Sequence, residues 1–318
     1  MFANTKKILN KAQKEGYAIG HFNINNMEIL QAIVNAANQT NSPIIIAVSE
    51  GAIEYAGFDY LITLVQTATK QTTIPIAFHL DHGKNLPLIK KCINSGFSSI
   101  MFDGSHLPFE ENIKITKQIV KLAHKKGVSV EAEIGTIGGA EDKVSSRQII
   151  YTNPSQAKEF VKKTKCDFLA IAIGTSHGPN KFEGPAHLRL DILKEIQKQI
   201  KIPLVLHGAS GVPQNIVTLA TKYGATLPNV IGVPNNQIKK AIKLGICKIN
   251  TDTDLRLAFD AGIRKSIKEH PNDIDPRHML TPAKDLITLV VKERITTFGS
   301  KNKINKKNST TANYQHNQ

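Results

Sequence analysis

The sequence predicts a (β/α)8 barrel, and three observations carry that reading. Eight short β-branched runs recur along the 318 residues, amphipathic helical stretches separate them, and the runs end in polar or ionisable side chains. Strands alternating with helices at this spacing build a parallel sheet, and eight such units in one chain argue a closed cylinder. A doubly wound open sheet is the alternative, but no G-x-G-x-x-G follows the first run, which weakens it.

In chain order the candidate strands are "YAIGHF" (17–22), "IIIAV" (44–48), "IPIAFHL" (74–80) and "SSIMF" (98–102). "VSVEAEI" (128–134), "FLAIAI" (168–173), "PLVLH" (203–207) and "ICKIN" (246–250) complete the set. Between them lie helical patterns such as "NNMEILQAIVNAANQT" and "ENIKITKQIVKLAHKKG". The second puts Ile115, Ile119 and Leu122 on one face and stops at a glycine. Two connections are long, polar and Gly-rich: residues 135–155 and 174–190. Long loops on the carboxyl side of a barrel's strands usually serve the site. "PAKDLITLVVKERITTFG" reads as a closing helix. Residues 1–300 therefore form one barrel domain, and residues 301–318 read as a disordered polar tail.

With 41% hydrophobic residues the chain can bury a full core. No apolar stretch approaches the roughly 20 residues of a membrane span, and the N-terminus lacks the apolar region of a secretory signal. Cys92, Cys166 and Cys247 are scattered and odd in number, so a reducing cytoplasm fits best. The net charge of +15 comes from dispersed lysines, four of them in residues 301–318. No aromatic-basic motif accompanies it, so nucleic acid is not an expected partner and the charge reads as a solvated surface attractive to anionic ligands.

A barrel puts its chemistry where the strands end. Those ends carry Asn23 and Asn26, Ser49 and Glu50, Asp81 and His82, Asp103, Glu133, His177, His207 and Ser210, then Asn250, Asp252 and Thr253. Three neutral imidazoles around one open position are a common arrangement for catalytic zinc. His82, His177 and His207, after the third, sixth and seventh strands, are the candidates. Each alone reads better as a histidine satisfied near the core; together at one rim they read as ligands. "HGASG" (207–211) and "NTDTD" (250–254) offer backbone N–H groups for a phosphate, with an ordinary capped turn an equal reading for each.

These residues bring a resemblance into view. "FNINN", "SEGA", "HLDHG", "FDGSH", "VEAEIGTIGG", "AIGTSHG", "VLHGASG" and "NTDTDLR" occur in the order found in class II, metal-dependent ketose-bisphosphate aldolases. The chain resembles that family from about residue 1 to 300. The resemblance implies a catalytic Zn2+ on His82, His177 and His207, and a second, exchangeable divalent position at Asp103 and Glu133. It implies that Asp81 moves the proton at the C4 hydroxyl or aldehyde oxygen. Glu141 would exchange the proton of dihydroxyacetone phosphate. Gly178, Gly208, Ala209, Ser210, Asn250, Thr251, Asp252 and Thr253 would bind that ketone phosphate, with a monovalent cation (Na+ or K+) beside it. Ser49 and Asn26 would serve the aldehyde-derived half, and Arg277 a neighbouring subunit's phosphate.

The implied activity is reversible aldol cleavage of fructose 1,6-bisphosphate by a cytoplasmic homodimer or homotetramer, with tagatose 1,6-bisphosphate as the alternative sugar. A more distant reading is a phosphosugar-binding or surface-adhesive protein without catalysis, which would have no use for Asp81 or Glu141. A Schiff-base aldolase would want an inward lysine on the sixth strand, and "FLAIAI" has none. Two small departures from the family pattern stand out: Ala140 replaces an acid of some members, and Gly104 replaces a frequent alanine.

Overall fold

The computed structural model describes residues 2–304 apart from 142–143, 147–148, 179–186 and 228–229. The strands are β1 (Ile19–Asn23), β2 (Ile44–Ser49), β3 (Ile76–Gly83), β4 (Ser99–Phe102), β5 (Ser129–Ile134) and β6 (Gly138–Glu141). β7 (Val144–Ser146), β8 (Phe168–Ile171), β9 (Ser176–His177), β10 (Leu204–Leu206) and β11 (Ile246–Thr251) follow. Eight of them close a parallel barrel in the order β1-β11-β10-β8-β5-β4-β3-β2. These are the eight runs read from the sequence, no boundary moved by more than three residues.

Side-chain alternation explains the layers. Outward residues such as Phe22, Ile44, Ile46, Phe78, Leu80, Val130 and Leu169 pack against the surrounding helices in one continuous core. Inward residues Ile19, Ile45, Ala77, Phe168, Ala170 and Val205 fill the barrel floor, which Leu9 and Ala12 of the helix Thr5–Glu15 plug from below. Above that floor the interior turns polar: His21, His79, Ser99, Glu131, His207 and Lys248 are all fully buried. The apolar base seals the cylinder, so chemistry is confined to the opposite end.

Three features differ from the sequence reading. The two long loops are not irregular throughout, because β6, β7 and β9 form a small sheet of their own. β6 runs parallel to β9, setting Gly139 beside His177. Gly139 has φ +85, and a Cβ there would lie 2.2 Å from the His177 carbonyl oxygen, so only glycine permits this approach. Second, the closing helix begins at Pro276, capped by Asp275, and Pro282 lies inside it. Pro282 has no N–H for the His278 carbonyl four residues back; the Ser266 hydroxyl approaches that carbonyl at 3.4 Å instead. Third, residues at the start of the tail are tied down. Asn302 N–H donates to Thr40, Lys11 Nζ donates to the Lys303 carbonyl, and Asn41 donates to the Ile304 carbonyl. Residues 305–318 lie outside the described residues.

Gly139→Ala should separate β6 from β9, since a left-handed alanine alone costs roughly 1–2 kcal/mol before the collision is counted. Hydrogen–deuterium exchange is expected to accelerate in residues 138–141 and 176–177 while the barrel strands stay protected. Unchanged exchange there would mean that the close approach does not hold the small sheet together.

Candidate metal centre and active site

Asp81 and His82 are neighbours on β3, yet both belong to the cavity at the barrel mouth. A regular strand would send them to opposite faces. The strand breaks to avoid this: His82 has φ +46, and the β3–β4 pairing shifts register between Leu80 and Gly83. A left-handed non-glycine residue is uncommon and strained. Here the strain aims the imidazole inward beside the carboxylate, as bulges near active sites do.

The structure brings His82, His177 and His207 together, one ligand atom of each within 4.8 Å of the others. Ring centroids lie 4.6 Å apart for His82 and His207, 5.1 Å for His82 and His177, and 6.4 Å for His177 and His207. His82 Nε2 and His207 Nδ1 are only 2.8 Å apart. His82 Nδ1 meets Asp103 at 2.9 Å, and Asp103 also accepts from the Ser105 hydroxyl and N–H. His177 arrives on β9, beyond the end of β8, so the small sheet supplies the third ring. His82, Asp103 and Glu133 form a second group of potential ligands within the same 4.8 Å limit.

The local charges call for a cation. Burial alone would lower the pKa of His82, but Asp81, Asp103 and Glu133 outweigh it and raise the ring to about 10. Burial, then Asp103, raises Glu133 to about 8. Asp103, despite its burial, is held below the usual carboxylate range by His82. His207 is kept neutral by burial and by His82, which is the ligand form of imidazole. Carboxylates that sustain a protonated histidine would equally favour a divalent ion bound to it, so these residues fit a metal. A further group of His21, His79 and Asp81 also lies within 4.8 Å. It fits a cation poorly, because the Lys248 ammonium acts on both imidazoles and would repel a second positive charge there.

Beneath the rim, Glu131, which sequence reasoning missed, orients residues that it found. Glu131 on β5 is fully buried; its Oε1 lies 2.6 Å from His207 Nε2 and its Oε2 2.9 Å from Lys248 Nζ. Carboxylates in this position fix the tautomer and tilt of a metal-ligating histidine. Lys248 Nζ also donates to Asn250 Oδ1 at 2.7 Å. Asp81 accepts from Asn23 Nδ2 at 2.9 Å and from Asn250 Nδ2 at 3.2 Å. Asn250 thus sits within the barrel between acid and metal group, while alternation turns Thr251 to the other face. The first glutamate of "EAE" was the available signal: it shares Glu133's inward parity one pleat lower.

The two candidate phosphate turns lie at the same end. Gly208 has φ +59, and a Cβ there would meet the Ser176 backbone at 2.7 Å. Gly178 follows His177 at φ +78. Ala209, Ser210 and Thr253 are buried, and Thr253 opens the helix Thr253–Glu269. Asp252 precedes it and pairs with Arg256 at 2.7 Å. Gly211 and Val212 N–H both donate to Asp254, so these two amides are engaged within the turn.

Other predicted residues have visible local duties. Ser49, opposite Asp81 in register, accepts from Ala52 N–H as a helix cap. Asn26 caps the helix Met27–Thr40 through Ile29 N–H, whereas Asn23 makes the contact to Asp81. Arg277 is 84% exposed and forms a bidentate pair with Asp275, away from the histidines. The backbone of Glu141 ends β6, opposite Val144; its side chain lies outside the described residues. Gly104, the departure noted above, makes room for Asn112: a Cβ there would be 2.4 Å from Asn112 Oδ1. Asn112 in turn donates to the Glu133 carbonyl at 3.0 Å.

A family model described as fructose-bisphosphate aldolase class-II matches residues 3–303. The fructose-bisphosphate aldolase of Giardia intestinalis is 47% identical over 298 residues, 93% of this chain and 92% of that protein. That of Helicobacter pylori is 45% identical over 307 residues, covering 96% and 100%. Among solved structures, the YdjI aldolase from Escherichia coli K12 superposes with a TM-score of 0.77 at 32% identity, over 95% of this chain and 99% of that one. This chain belongs to the class-II fructose-bisphosphate aldolase family.

Proposed function

We propose that the chain is a metal-dependent lyase that reversibly cleaves fructose 1,6-bisphosphate to dihydroxyacetone phosphate and glyceraldehyde 3-phosphate. The observation that carries this reading is the convergence of His82, His177 and His207 with Asp81 at one barrel mouth. The three imidazoles would hold Zn2+, and Asp103 and Glu133 with His82 a second divalent ion. When bound, the ion supplies Lewis acidity at the substrate carbonyl, stabilising developing charge by several kcal/mol without a Schiff base. Lys248, the buried lysine of the interior, is engaged by Glu131 and Asn250 and is not the nucleophile of this reading.

Asp81 is the group that takes the proton from the C4 hydroxyl as the C3–C4 bond breaks. Its two oxygens are held by Asn23 and Asn250, which fixes the carboxylate's orientation before substrate arrives. The electron pair of that bond passes to the ketone-phosphate half, and Glu141 returns a proton to C3. Run in reverse, the same two carboxylates condense the halves. Gly178, Gly208, Ala209, Ser210, Asp252 and Thr253 surround the ketone phosphate, and Ser49 serves the aldehyde half. A monovalent cation is assigned to the ketone-phosphate side.

We place the enzyme in the cytoplasm as a homodimer or larger homo-oligomer. Among the described residues no helix is long and apolar enough to cross a membrane, and all three cysteines are buried thiols. Ile267, Ile274 and Leu289 lie exposed on the helices Thr253–Glu269 and Pro276–Phe298 and their connection, which supports a subunit contact there with Arg277 nearby.

EDTA is expected to abolish cleavage, and borohydride with substrate is expected to leave the enzyme unlabelled. The opposite pair of results would rule out the metal route in favour of an imine; rates on fructose and tagatose bisphosphates in the same assay settle the sugar. Asp81→Ala should keep its metal and lose about 10²–10⁴-fold in turnover; an unchanged rate removes Asp81 from the chemistry.

Stability should depend on pH in a stated direction once the metal is chelated. Glu133 is raised by burial from an unfolded value near 4.5 to about 8, so its contribution is full below 4.5 and lost as pH rises to about 8. His82, raised to about 10, contributes fully below its unfolded value near 6.5 and loses that contribution as pH climbs through about 10. Both trends have one sign, and the lowered His21, His79 and His207 oppose them only up to the unfolded imidazole value near 6.5, so the chelated protein should melt at progressively lower temperature from about pH 7 to pH 9. The stabilisation regained on adding metal should widen over the same range. A flat or rising profile after chelation contradicts this charge arrangement.

A further inference from the structure

We infer that Asp254 and Arg294 are positioning residues, a buried ion pair that holds the turn at residues 207–212 in its anion-binding shape and so sets substrate affinity. The inference rests on the phosphate role proposed for that turn. Asp254 is fully buried in the first turn of the helix Thr253–Glu269. Its Oδ2 accepts from Gly211 N–H at 3.0 Å and its Oδ1 from Val212 N–H at 2.7 Å. The turn it grips is strained, with Gly208 at φ +59 and Val212 at φ +47. A β-branched residue in the left-handed region persists only where its surroundings over-determine it. The carboxylate from the next strand–helix junction is that determinant.

A buried carboxylate needs a counter-charge. Arg294, 2% exposed on the helix Pro276–Phe298, supplies it with Nε 3.9 Å from Asp254 Oδ2. The guanidinium also packs against the turn: a Cβ on Gly211 would be 2.2 Å from Arg294 Nη1. Gly232 closes the other side, with a notional Cβ 2.5 Å from the Ser210 carbonyl, and Val233 N–H donates to that carbonyl at 3.0 Å. Among the described residues, Arg294 Nε and Nη1 have no hydrogen-bond partner, and Nη2 alone donates, to Glu293. A guanidinium buried with two nitrogens unused is retained for its charge rather than its hydrogen bonds. That charge offsets Asp254 beside the turn proposed to hold the phosphate. Without it, the clamp that shapes the cradle would also repel the ligand.

Asp254→Asn, Arg294→Met and Arg294→Lys in the full-length, metal-loaded enzyme test this. For Asp254→Asn and Arg294→Met, KM for fructose 1,6-bisphosphate and the dissociation constant of inorganic phosphate should each rise about tenfold, with kcat changed by less than about threefold. Arg294→Lys should recover most of the loss, and zinc content should not change. Folded variants with lowered melting temperature but unaltered KM and phosphate affinity would reduce the pair to a structural role and overturn the inference. Should the variants not fold, hydrogen exchange on the unaltered enzyme decides: the Gly211 and Val212 amides are expected to be protected without ligand, and exchange at loop rates refutes the clamp. A wild-type protein that neither cleaves the sugar nor binds phosphate fails the parent reading instead, which the controls separate from failure of the pair.

Discussion

Two side chains that follow each other in sequence, Asp81 and His82, have to face one cavity, and a pleated strand forbids that unless it breaks. β3 breaks at His82, taking a left-handed backbone and shifting its register against β4. The break costs conformational energy that local sequence does not return. It is held by what surrounds it: Asp103 on the His82 ring, and the asparagines Asn23 and Asn250 on Asp81. Candidate acid and candidate metal ligand are therefore spaced by one backbone link instead of two elements that could drift apart. Every other part of the site is arranged around that short span.

Below it, the barrel interior behaves as a charged column. Lys248 and Glu131 are both fully buried and paired, and Glu131 passes the orientation on to His207. A buried ion pair of this kind adds little net stability and can cost some relative to apolar packing. Its persistence is better explained by what it specifies. Replacing it with aliphatic side chains would leave His207 Nε2 without a partner and its Nδ1 free to turn from His82. The floor of Ile19, Ile45, Phe168 and Val205 carries the apolar burial, so the upper half can be spent on orientation.

The barrel and the three histidines were legible in the sequence because both signals are periodic or positional. β-branched runs mark strands through their shape, and parallel strands ending at one face gather whatever follows them. What stayed hidden depends on contacts between elements. Nothing in "HLDHG" announces the left-handed turn at His82. The Gly-rich stretch 135–141 reads as loop, and it becomes strand only because β9 comes alongside and Gly139 lets it. Pro282 reads as a helix start, yet Asp275 and Pro276 had already capped and opened that helix. The resemblance points to Asn26, which the structure uses as a helix cap. Strand parity, with His21 and Asn23 both inward on β1, would have chosen Asn23.

Charge distribution links the site to the rest of the molecule. The protein is strongly basic overall at +15, while its mouth collects Asp81, Asp103, Glu133 and Asp252. A field of that sign draws phosphorylated ligands toward the surface, but the carboxylates would oppose them at close range. The two demands are reconciled by separation: Asp81, Asp103 and Glu133 cluster on the β3, β4 and β5 side around the imidazoles, whereas the candidate phosphate turns follow β10 and β11, where Asp252 is paired with Arg256. On that second side the one fully buried acid, Asp254, already carries its own arginine. On the proposed reading, the cavity is thus divided into a half for a cation and a half for an anion. A molecule carrying a polarisable carbonyl next to a phosphate spans both.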